Sequence, residues 1–321
     1  MKIIVTGSLG NISKPLTKEL VQKGNHVTVI TTKFEKQKDI EALGAKAAIG
    51  NIEDVPFLTA TFTGADAVYC MLPVFDYFDP NLDIMVATRR LISNYAQAIR
   101  ESGVKKIVHL SSIGAHTDKG NGLLAFHHLA ESIFKELPSD IIIKHVRPVG
   151  FFNNVYDFMT MIKGKGFGGV YLTLRYSGFI NLITGKMGVI AANYGADDKM
   201  PWVSPIDIAA AISEELTTPF VERKFRYIAS EELTCNEIAK TIGEAIGKPY
   251  LKWPLMSDKD MLSGLKMFKI PEVRAEGIVE MNAAQHSGVL FEDYYRNLPK
   301  EMGKVKIKDF AKEFAVVYNQ K

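Results

Sequence analysis

Short runs of apolar residues alternate along the chain with amphipathic segments of helical spacing. An uninterrupted run occurs at 3–5, and short strand-like stretches rich in apolar residues occur at 26–30, 45–50, 67–72, 106–112 and 141–148. Runs of this length are typical of parallel strands that are buried on both faces. The segment at 80–103 instead carries apolar residues every three or four positions, as a helix packed on a sheet does. The alternation predicts an α/β fold with a doubly wound parallel sheet.

The turn after the first apolar run is rich in small residues. Gly7 and Gly10 stand three apart, Ser13 occupies the place of a third glycine, and Pro15 begins an amphipathic helix that ends near Gly24. A diphosphate needs bare backbone N–H groups and the positive end of a helix dipole, and a Cβ at either glycine would hold the backbone away. This order of strand, glycine turn and helix predicts a Rossmann-type dinucleotide site. The alternative is an ordinary βα turn.

The residues after the second predicted strand decide between the two nicotinamide coenzymes. An NAD site usually has an acid about 20 residues beyond the glycines, whereas a 2′-phosphate prefers hydroxyls and cations. The sequence supplies Thr31, Thr32 and Lys33, with no acid before Glu35. NADP(H) is therefore favoured over NAD(H). The alternative is that the lysines of this stretch are the solvated start of the next helix.

The pattern changes after Pro148, where aromatic residues crowd the chain. We expect residues 1–150 to form the dinucleotide-binding Rossmann domain, with residues 201–230 returning to it. Residues 151–200 and 231–321 are expected to form a smaller, mostly helical substrate or lid region.

Two segments of this second region invite a closer interpretation. The glycine- and lysine-rich run at 163–169 lacks the spacing of a phosphate loop, so we expect a flexible connection or hairpin there. Glycines beside an aromatic cluster also suit a lid, which we keep as a hypothesis. Residues 248–253 are expected to form an extended, edge-like piece.

Composition narrows the classes of partner. Hydrophobic residues at 47% and charged residues at 23% are ordinary for a globular protein. A net charge of +3 is too small to indicate nucleic acid or an anionic membrane as a partner. Cys70 and Cys235 lie far apart and predict neither a disulfide nor a metal site. Without a recognisable signal peptide or membrane span, the cytoplasm is the expected location.

Six short motifs occur in a characteristic order: VTGSLGNI at 5–12, GNIED at 50–54, GADAVY at 64–69, HLSSIGA at 109–115, RPVGFFNN at 147–154 and PWVSPIDIA at 201–209. Together they resemble the NmrA-like family of atypical short-chain dehydrogenases/reductases, from residue 1 to about residue 250. The resemblance implies a Rossmann domain that binds NAD(P), with a smaller C-terminal region closing a cleft over the nicotinamide. Members of that family include NADPH-dependent reductases of quinones and dyes, and redox-sensing regulators that bind the coenzyme without turning it over.

The resemblance also implies a set of coenzyme contacts. It assigns the phosphate loop to Gly7, Leu9, Gly10, Asn11 and Ile12, and the ribose-phosphate contacts to Thr31, Thr32 and Lys33. It assigns the adenine flank to Asn51 and Ile52, the ribose and nicotinamide side to Met71, Leu72 and Pro73, and the surroundings of the nicotinamide to Pro148, Gly150 and Phe151.

The main departure from the family concerns the Tyr-x-x-x-Lys pair that protonates or deprotonates the substrate oxygen. Aligning Glu131 with the glutamate that follows the family's lysine by four places His127 at the lysine position and Leu123 at the tyrosine position. The usual acid is then absent. His127 or His128 is a candidate donor, since imidazole titrates near neutrality. The alternative is that both are helix residues that contact the coenzyme ribose or solvent.

Polar and aromatic residues supply the other candidates. Ser111, at the end of a predicted strand with Ser112, is a candidate to hydrogen-bond the carboxamide or the acceptor, the alternative being a simple strand end. Candidates to stack on a flat acceptor, which otherwise would fill the core, are Phe75, Tyr77, Phe78, Phe152 and Trp202.

Two functions follow from these residues. The first is an NADPH-dependent reductase that transfers a hydride directly to a quinone-like or other planar organic acceptor, with no flavin and no metal. The second is a non-catalytic NADP(H)-sensing protein that reports to a protein partner. The aromatic residues favour the first and the missing Tyr and Lys favour the second. An epimerase is disfavoured, because it needs the missing Tyr most.

Overall fold

The computed structural model describes residues 1–219, 222 and 224–320. The strands are β1 (Lys2–Val5), β2 (His26–Thr31), β3 (Lys46–Ile49), β4 (Ala67–Cys70), β5 (Lys106–Leu110), β6 (Ile142–Pro148), β7 (Gly150–Phe151), β8 (Lys199–Val203), β9 (Lys224–Ile228) and β10 (Glu231–Thr234). The α-helices are α1 (Ser13–Gln22), α2 (Gln37–Glu41), α3 (Val55–Phe62), α4 (Ile84–Ser102), α5 (Ala125–Lys135), α6 (Met159–Lys163), α7 (Gly166–Ser177), α8 (Phe179–Ile183), α9 (Pro205–Thr217), α10 (Cys235–Ala245), α11 (Asp258–Met267), α12 (Glu272–His286), α13 (Glu292–Arg296) and α14 (Ile307–Asn319). Short 3₁₀ turns occur at Phe34–Lys36, Gly122–Leu124, Phe152–Phe158 and Val289–Phe291.

The chain divides into two compact units. Unit 1 contains Met1–Asp118, Leu124–Pro148 and Pro205–Ile228. Unit 2 contains Lys119–Leu123, Val149–Ser204 and Ala229–Lys321. Of the stretch 201–230 that we expected to return to the first domain, residues 205–228 lie with unit 1, and residues 201–204 and 229–230 lie with unit 2.

Unit 1 is built on a seven-stranded sheet in the order β3-β2-β1-β4-β5-β6-β9. Every pair in it is parallel. Helices α1 and α9 pack on each other, as do α3, α4 and α5, so the sheet has helices on both faces. This is the Rossmann arrangement, with its reversal of strand order between β1 and β4. The predicted fold class is confirmed, and β9 is the late strand that returns to the sheet.

Local capping sets the helix boundaries of unit 1. Asp54 accepts a hydrogen bond from the Phe57 N–H at 3.0 Å and begins α3. Asp83 does the same for the Val86 N–H at 3.0 Å, so α4 begins at Ile84, four residues after the predicted start. Gly103, with φ of +77°, ends α4 as a left-handed C-cap.

Unit 2 combines a small sheet with helices. Strand β8 pairs with β7 in parallel and with β10 antiparallel. A capping box between Thr234 and Glu237 begins α10, which packs against α14. One sequence prediction is wrong here. Residues 163–169 are not a hairpin but the end of α6, a left-handed turn at Gly164 and the start of α7. Residues 248–253 form no assigned strand, and the Lys252 carbonyl accepts from the Ile190 N–H at 2.9 Å while Leu251 and Trp253 are buried in the core.

Candidate functional site

The predicted coenzyme residues of unit 1 follow neighbouring strands at their carboxyl ends. They are Gly7–Ile12 after β1, Thr31–Lys33 at the end of β2, Asn51–Ile52 after β3, Met71–Pro73 after β4, Ser111 after β5 and Pro148 at the end of β6. Because the strands are parallel, these loops emerge at one edge of the sheet, where doubly wound folds bind nucleotides. Gly150 and Phe151 instead form β7 of unit 2, paired with Trp202 and Val203.

The turn after β1 presents backbone donors. Gly7 has φ of +86°, and a Cβ there would collide with the Met71 Sδ and the Ser13 Oγ. The Gly10 N–H donates to the Gly7 carbonyl at 3.2 Å and closes the turn. In the described part of the chain, the N–H groups of Leu9, Asn11 and Ile12 have no acceptor. Three unused donors just before the first turn of α1 are what a phosphate group requires.

Thr6 fixes this turn to the adjacent strand. Its hydroxyl accepts from the Met71 N–H at 3.0 Å, and its carbonyl accepts from the Ser13 hydroxyl at 2.8 Å. The Tyr95 hydroxyl donates to the Met71 carbonyl at 3.1 Å. Met71 is thereby held beneath Gly7. Ser13, in the place of a third glycine, is the first residue of α1 after the N-cap Ile12, and its hydroxyl anchors the helix to the residue that follows β1.

A second polar turn lies at the end of β2. Ser8, with φ of +54°, donates through its N–H to the Ile30 carbonyl at 3.1 Å and through its hydroxyl to the Thr31 Oγ1 at 3.0 Å. The Lys33 N–H donates to the same Thr31 oxygen at 3.2 Å. Thr31 is 2% exposed, whereas Thr32 and Lys33 are exposed. Thr31 therefore orders the turn, and the exposed Thr32 and Lys33 stay predicted ligand contacts.

A buried ion pair lies below the end of β5. The Arg147 guanidinium donates to both oxygens of Glu131, with Nε to Oε1 at 2.9 Å and Nη2 to Oε2 at 2.6 Å. The Ser111 hydroxyl donates to the same Oε1 at 2.5 Å. The Arg147 Cζ lies 4.1 Å from the centre of the Phe225 ring. Burial opposes the charge on Arg147, but the hydrogen bonds and charge of Glu131 raise its pKa.

This network changes the interpretation of Ser111. Its proton is used in the hydrogen bond to an ionised carboxylate, and the side chain is buried. We therefore do not propose Ser111 as a proton donor to an acceptor.

The two histidines of α5 differ in their surroundings. The His128 Nδ1 lies 3.0 Å from the Ala115 carbonyl oxygen. This nitrogen is therefore engaged in a contact with the loop after β5. The His127 ring lies 4.1 Å from the Phe126 ring, and its Nδ1 is buried without a hydrogen bond in the described residues. Burial lowers the pKa of His127 from 6.5 to about 4, although Glu131 opposes that shift. His127 is therefore neutral at pH 7, unlike a lysine at the same place.

The depressed pKa of His127 predicts a stability loss in mild acid. Between pH 6.5 and about 4 the unfolded chain takes up a proton at this residue that the folded chain does not, so stability falls as the pH falls. Between pH 7 and pH 5 the free energy of unfolding should fall in both proteins. We expect the fall to be about 2 kcal/mol smaller in His127→Asn than in the wild type. Urea denaturation of both proteins at the two pH values measures this. Equal losses would contradict the assignment.

The predicted acceptor residues fall into two groups. Phe78 is 60% exposed and Tyr77 is half-buried, both in the loop after β4, and Phe75 is buried edge-on to Phe126. In unit 2, Phe152 stacks on Phe310 and Trp202 lies beside Trp253, and both are almost completely buried. We therefore do not propose Phe152 or Trp202 as acceptor contacts, because they fill the core of unit 2.

Comparison with known proteins bears on the class of ligand that the chain binds. Residues 7–154 match the family described as NAD(P)H-binding. The chain is 24% identical over 284 residues to the NAD(P)H azoreductase of Xenophilus azovorans, covering 88% of this chain and 86% of that protein. These matches support an NAD(P)H-binding domain and, more broadly, an NAD(P)H oxidoreductase.

Solved structures share the fold over nearly the whole chain. The Citrobacter sp. triphenylmethane reductase complexed with NADP(H) has a TM-score of 0.70 at 19% identity, covering 98% of this chain and 99% of that one. The NADPH-dependent quinone oxidoreductase of Escherichia coli complexed with NADPH has a TM-score of 0.70 at 18% identity, covering 99% and 100%. A nucleoside-diphosphate-sugar epimerase of Staphylococcus aureus has a TM-score of 0.71 at 15% identity, covering 97% and 100%. At these identities the likeness concerns the fold and does not separate a reductase from an epimerase.

Two other kinds of site, a metal centre and a membrane span, are absent from the described ranges. No group of three or more His, Cys, Asp or Glu side chains there is arranged to hold a metal ion. No helix among those residues has the length and apolar character needed to cross a bilayer.

Proposed function

We propose that the protein is an NADPH-dependent reductase of the NmrA-like type, which reduces a planar organic acceptor by direct hydride transfer without a flavin. The observation that carries the proposal is the set of unused N–H groups of Leu9, Asn11 and Ile12, in a turn that tolerates no Cβ at Gly7. The coenzyme supplies the hydride, and the protein orients it. A cytoplasmic location stays a prediction from the sequence.

The preference for NADPH rests on the turn at the end of β2. Ser8 and Thr32 offer hydroxyls, Lys33 offers a cation, and the nearest acid along the chain after β2 is Glu35. A 2′-phosphate gains charge-assisted hydrogen bonds from such a set, whereas the ribose hydroxyls of NAD lack their usual carboxylate partner.

Reversing the charge of Lys33 is expected to separate the two coenzymes. Lys33→Glu should weaken the binding of NADPH about 20-fold, because it removes a charge-assisted hydrogen bond and adds repulsion of the 2′-phosphate. The affinity for NADH should change less than about threefold. Fluorescence titration with each coenzyme measures this. Lys46→Glu, an equal charge change at the opposite end of a neighbouring strand, is the control. Equal weakening of NADPH and NADH would overturn the 2′-phosphate assignment.

The class of acceptor follows from the missing acid. His127 is neutral, the Ser111 proton is engaged by Glu131, and the aligned tyrosine position is Leu123. An acceptor whose reduced anion is delocalised takes its proton from water and needs no strong acid. Quinones and azo compounds form such an anion, whereas a cationic triarylmethane dye accepts the hydride to form a neutral leuco compound and needs no proton. Azo compounds, triarylmethane dyes and quinones are also what the names of the matched reductases refer to.

The same missing acid favours the second candidate, a protein that senses NADP(H) without turnover. A panel of quinones, azo dyes and triarylmethane dyes, followed by NADPH absorbance, separates the two. We expect turnover with at least one class, and a pH profile that His127→Asn leaves unchanged near neutrality. Tight NADPH binding without turnover of any acceptor would favour the sensor and contradict the reductase.

A further inference from the structure

One segment of unit 2 has an unusual charge pattern. Residues 158–196 contain Lys163, Lys165, Arg175 and Lys186 and no Asp or Glu. Arg175 pairs with Asp260 at 2.6 Å, and the Lys163 Nζ lies 5.6 Å from the centre of the Tyr318 ring. Lys165 and Lys186 are exposed, and neither makes an ion pair with any residue that the structure describes. The surface of this segment is therefore cationic without compensating acids of its own.

The same segment exposes large apolar side chains. Helix α7 exposes Val170, Tyr171 and Leu174, which share one side of the helix because they are one and four positions apart. Helix α8, which packs against α7, exposes Phe179 at 63%, Ile180 at 73% and Ile183 at 64%. We call these six side chains the α7–α8 apolar face. Concentrated exposed apolar surface of this kind marks a contact with another body.

The inner side of the segment is firmly anchored, so loose packing does not explain the exposure. The Lys248 Nζ donates to the carbonyls of Ile162 at 2.8 Å and Met187 at 2.7 Å, which ties the two ends of the segment together. The Thr173 hydroxyl donates to the Gly169 carbonyl at 2.7 Å and accepts from the Gly188 N–H at 3.2 Å. The apolar side chains are thus held outward by a hydrogen-bonded base.

We propose that the α7–α8 apolar face docks on an anionic lipid bilayer. Aromatic and aliphatic side chains flanked by lysines are the combination that enters the headgroup boundary of such a surface. Lys165 also precedes α7, whose first turn has no side-chain cap and leaves its N–H groups for a lipid phosphate. A second copy of the chain fits less well, because a symmetric contact would bring the lysines of both copies together without acids from the segment.

The inference departs from the sequence analysis, which disfavoured an anionic membrane because the net charge is only +3. That argument averages over the chain, whereas attraction to a charged surface acts over about one Debye length, roughly 10 Å. The local charge of the exposed segment, and not the net charge of the whole chain, therefore decides whether the protein is attracted to an anionic membrane.

Cosedimentation with vesicles tests the proposal on the full chain. We expect binding to vesicles of phosphatidylcholine and phosphatidylserine, weak binding to phosphatidylcholine alone, and release by salt. The double variant Lys165→Gln, Lys186→Gln should bind about 30-fold more weakly, at roughly fivefold per lysine. Phe179→Asp with Ile180→Asp should lose binding by more than about tenfold. Met267→Asp with Val273→Asp, at apolar positions of unit 2 that are 81% and 80% exposed, should bind as the wild type does.

Five results would overturn the proposal. The first four are no binding of the wild type to anionic vesicles, equal binding to neutral vesicles, unaltered binding of the Phe179 and Ile180 variant, and loss of binding in the Met267 and Val273 control. Far-ultraviolet circular dichroism of each variant verifies that it is folded, independently of coenzyme binding. The fifth is a change of oligomeric state in the Phe179 and Ile180 variant, which would identify a second copy as the occupant instead. Because vesicle binding is measured without acceptor, its failure would leave the proposed reductase untouched.

Discussion

Replacing Gly7 with alanine is expected to weaken the binding of both NADPH and NADH by at least about 100-fold. The residue has φ of +86°, and the added Cβ would collide with the Met71 Sδ and the Ser13 Oγ. The Ser13 hydroxyl is bonded to the Thr6 carbonyl and cannot move freely, and the positive φ strains an alanine at this position in any case. The turn must shift, and the Leu9, Asn11 and Ile12 donors shift with it. Losing two charge-assisted bonds at about 1.5 kcal/mol or more each accounts for the factor.

Gly24→Ala is the matched control for Gly7→Ala. Gly24 has φ of +79°, close to that of Gly7, but a Cβ there meets no atom within 4 Å. Both variants therefore carry left-handed backbone strain of about 1 kcal/mol, and only Gly7→Ala carries the collision at the coenzyme turn. Calorimetric titration and thermal unfolding of the two proteins separate strain from loss of the site. Coenzyme affinity that falls equally in both, or in neither, would contradict the role of Gly7.

Arg147→Met is expected to destabilise the folded chain by about 3–5 kcal/mol, because it leaves the Glu131 carboxylate buried without its cation. The side chains of Arg147 and Glu131 are only 6% and 13% exposed. The variant also removes the ring contact with Phe225. Urea denaturation at pH 7 measures the difference in the free energy of unfolding.

Two companion variants make the Arg147 experiment specific. Lys105→Met breaks the ion pair between Lys105 and Asp140, whose two side chains are 55% and 63% exposed. It should lower the free energy of unfolding by less than about 1 kcal/mol. Adding Glu131→Leu to Arg147→Met should restore part of the lost stability, because the uncompensated charge is then gone. If the double variant lost as much unfolding free energy as Arg147→Met and Glu131→Leu lose when added together, packing and not charge would dominate this site.

Much of the sheet of unit 1 was predictable from the sequence because its central strands β1 and β4 are short, fully or almost fully buried apolar runs. The glycine turn was also predictable, since Gly7 and Gly10 serve a local backbone requirement. Strand β8 was missed, because Pro201 and Trp202 interrupt the usual strand pattern and its pairing with β10 involves residues about thirty positions away.

The supporting contacts of the candidate site were less accessible to sequence reasoning. Thr6 meets Met71, 65 residues away, and Glu131 meets Arg147 on a different element. No periodicity or local motif encodes such pairs. A polar Thr6 at the end of a buried strand, and an acid on the inner side of α5, were the signals that could have drawn attention to them. The burial of Phe152 and Trp202 likewise depends on partners in α14 and at Trp253, distant in the sequence.

Calorimetric titration of the full chain with NADPH and with NADH, at one fixed ionic strength, tests the central claim most directly. The turn of Gly7 to Ile12 and the polar turn at Lys33 predict saturable binding of both coenzymes, with NADPH at least about tenfold tighter. A folded chain that released no heat with either coenzyme, and whose melting temperature neither coenzyme raised, would contradict the account.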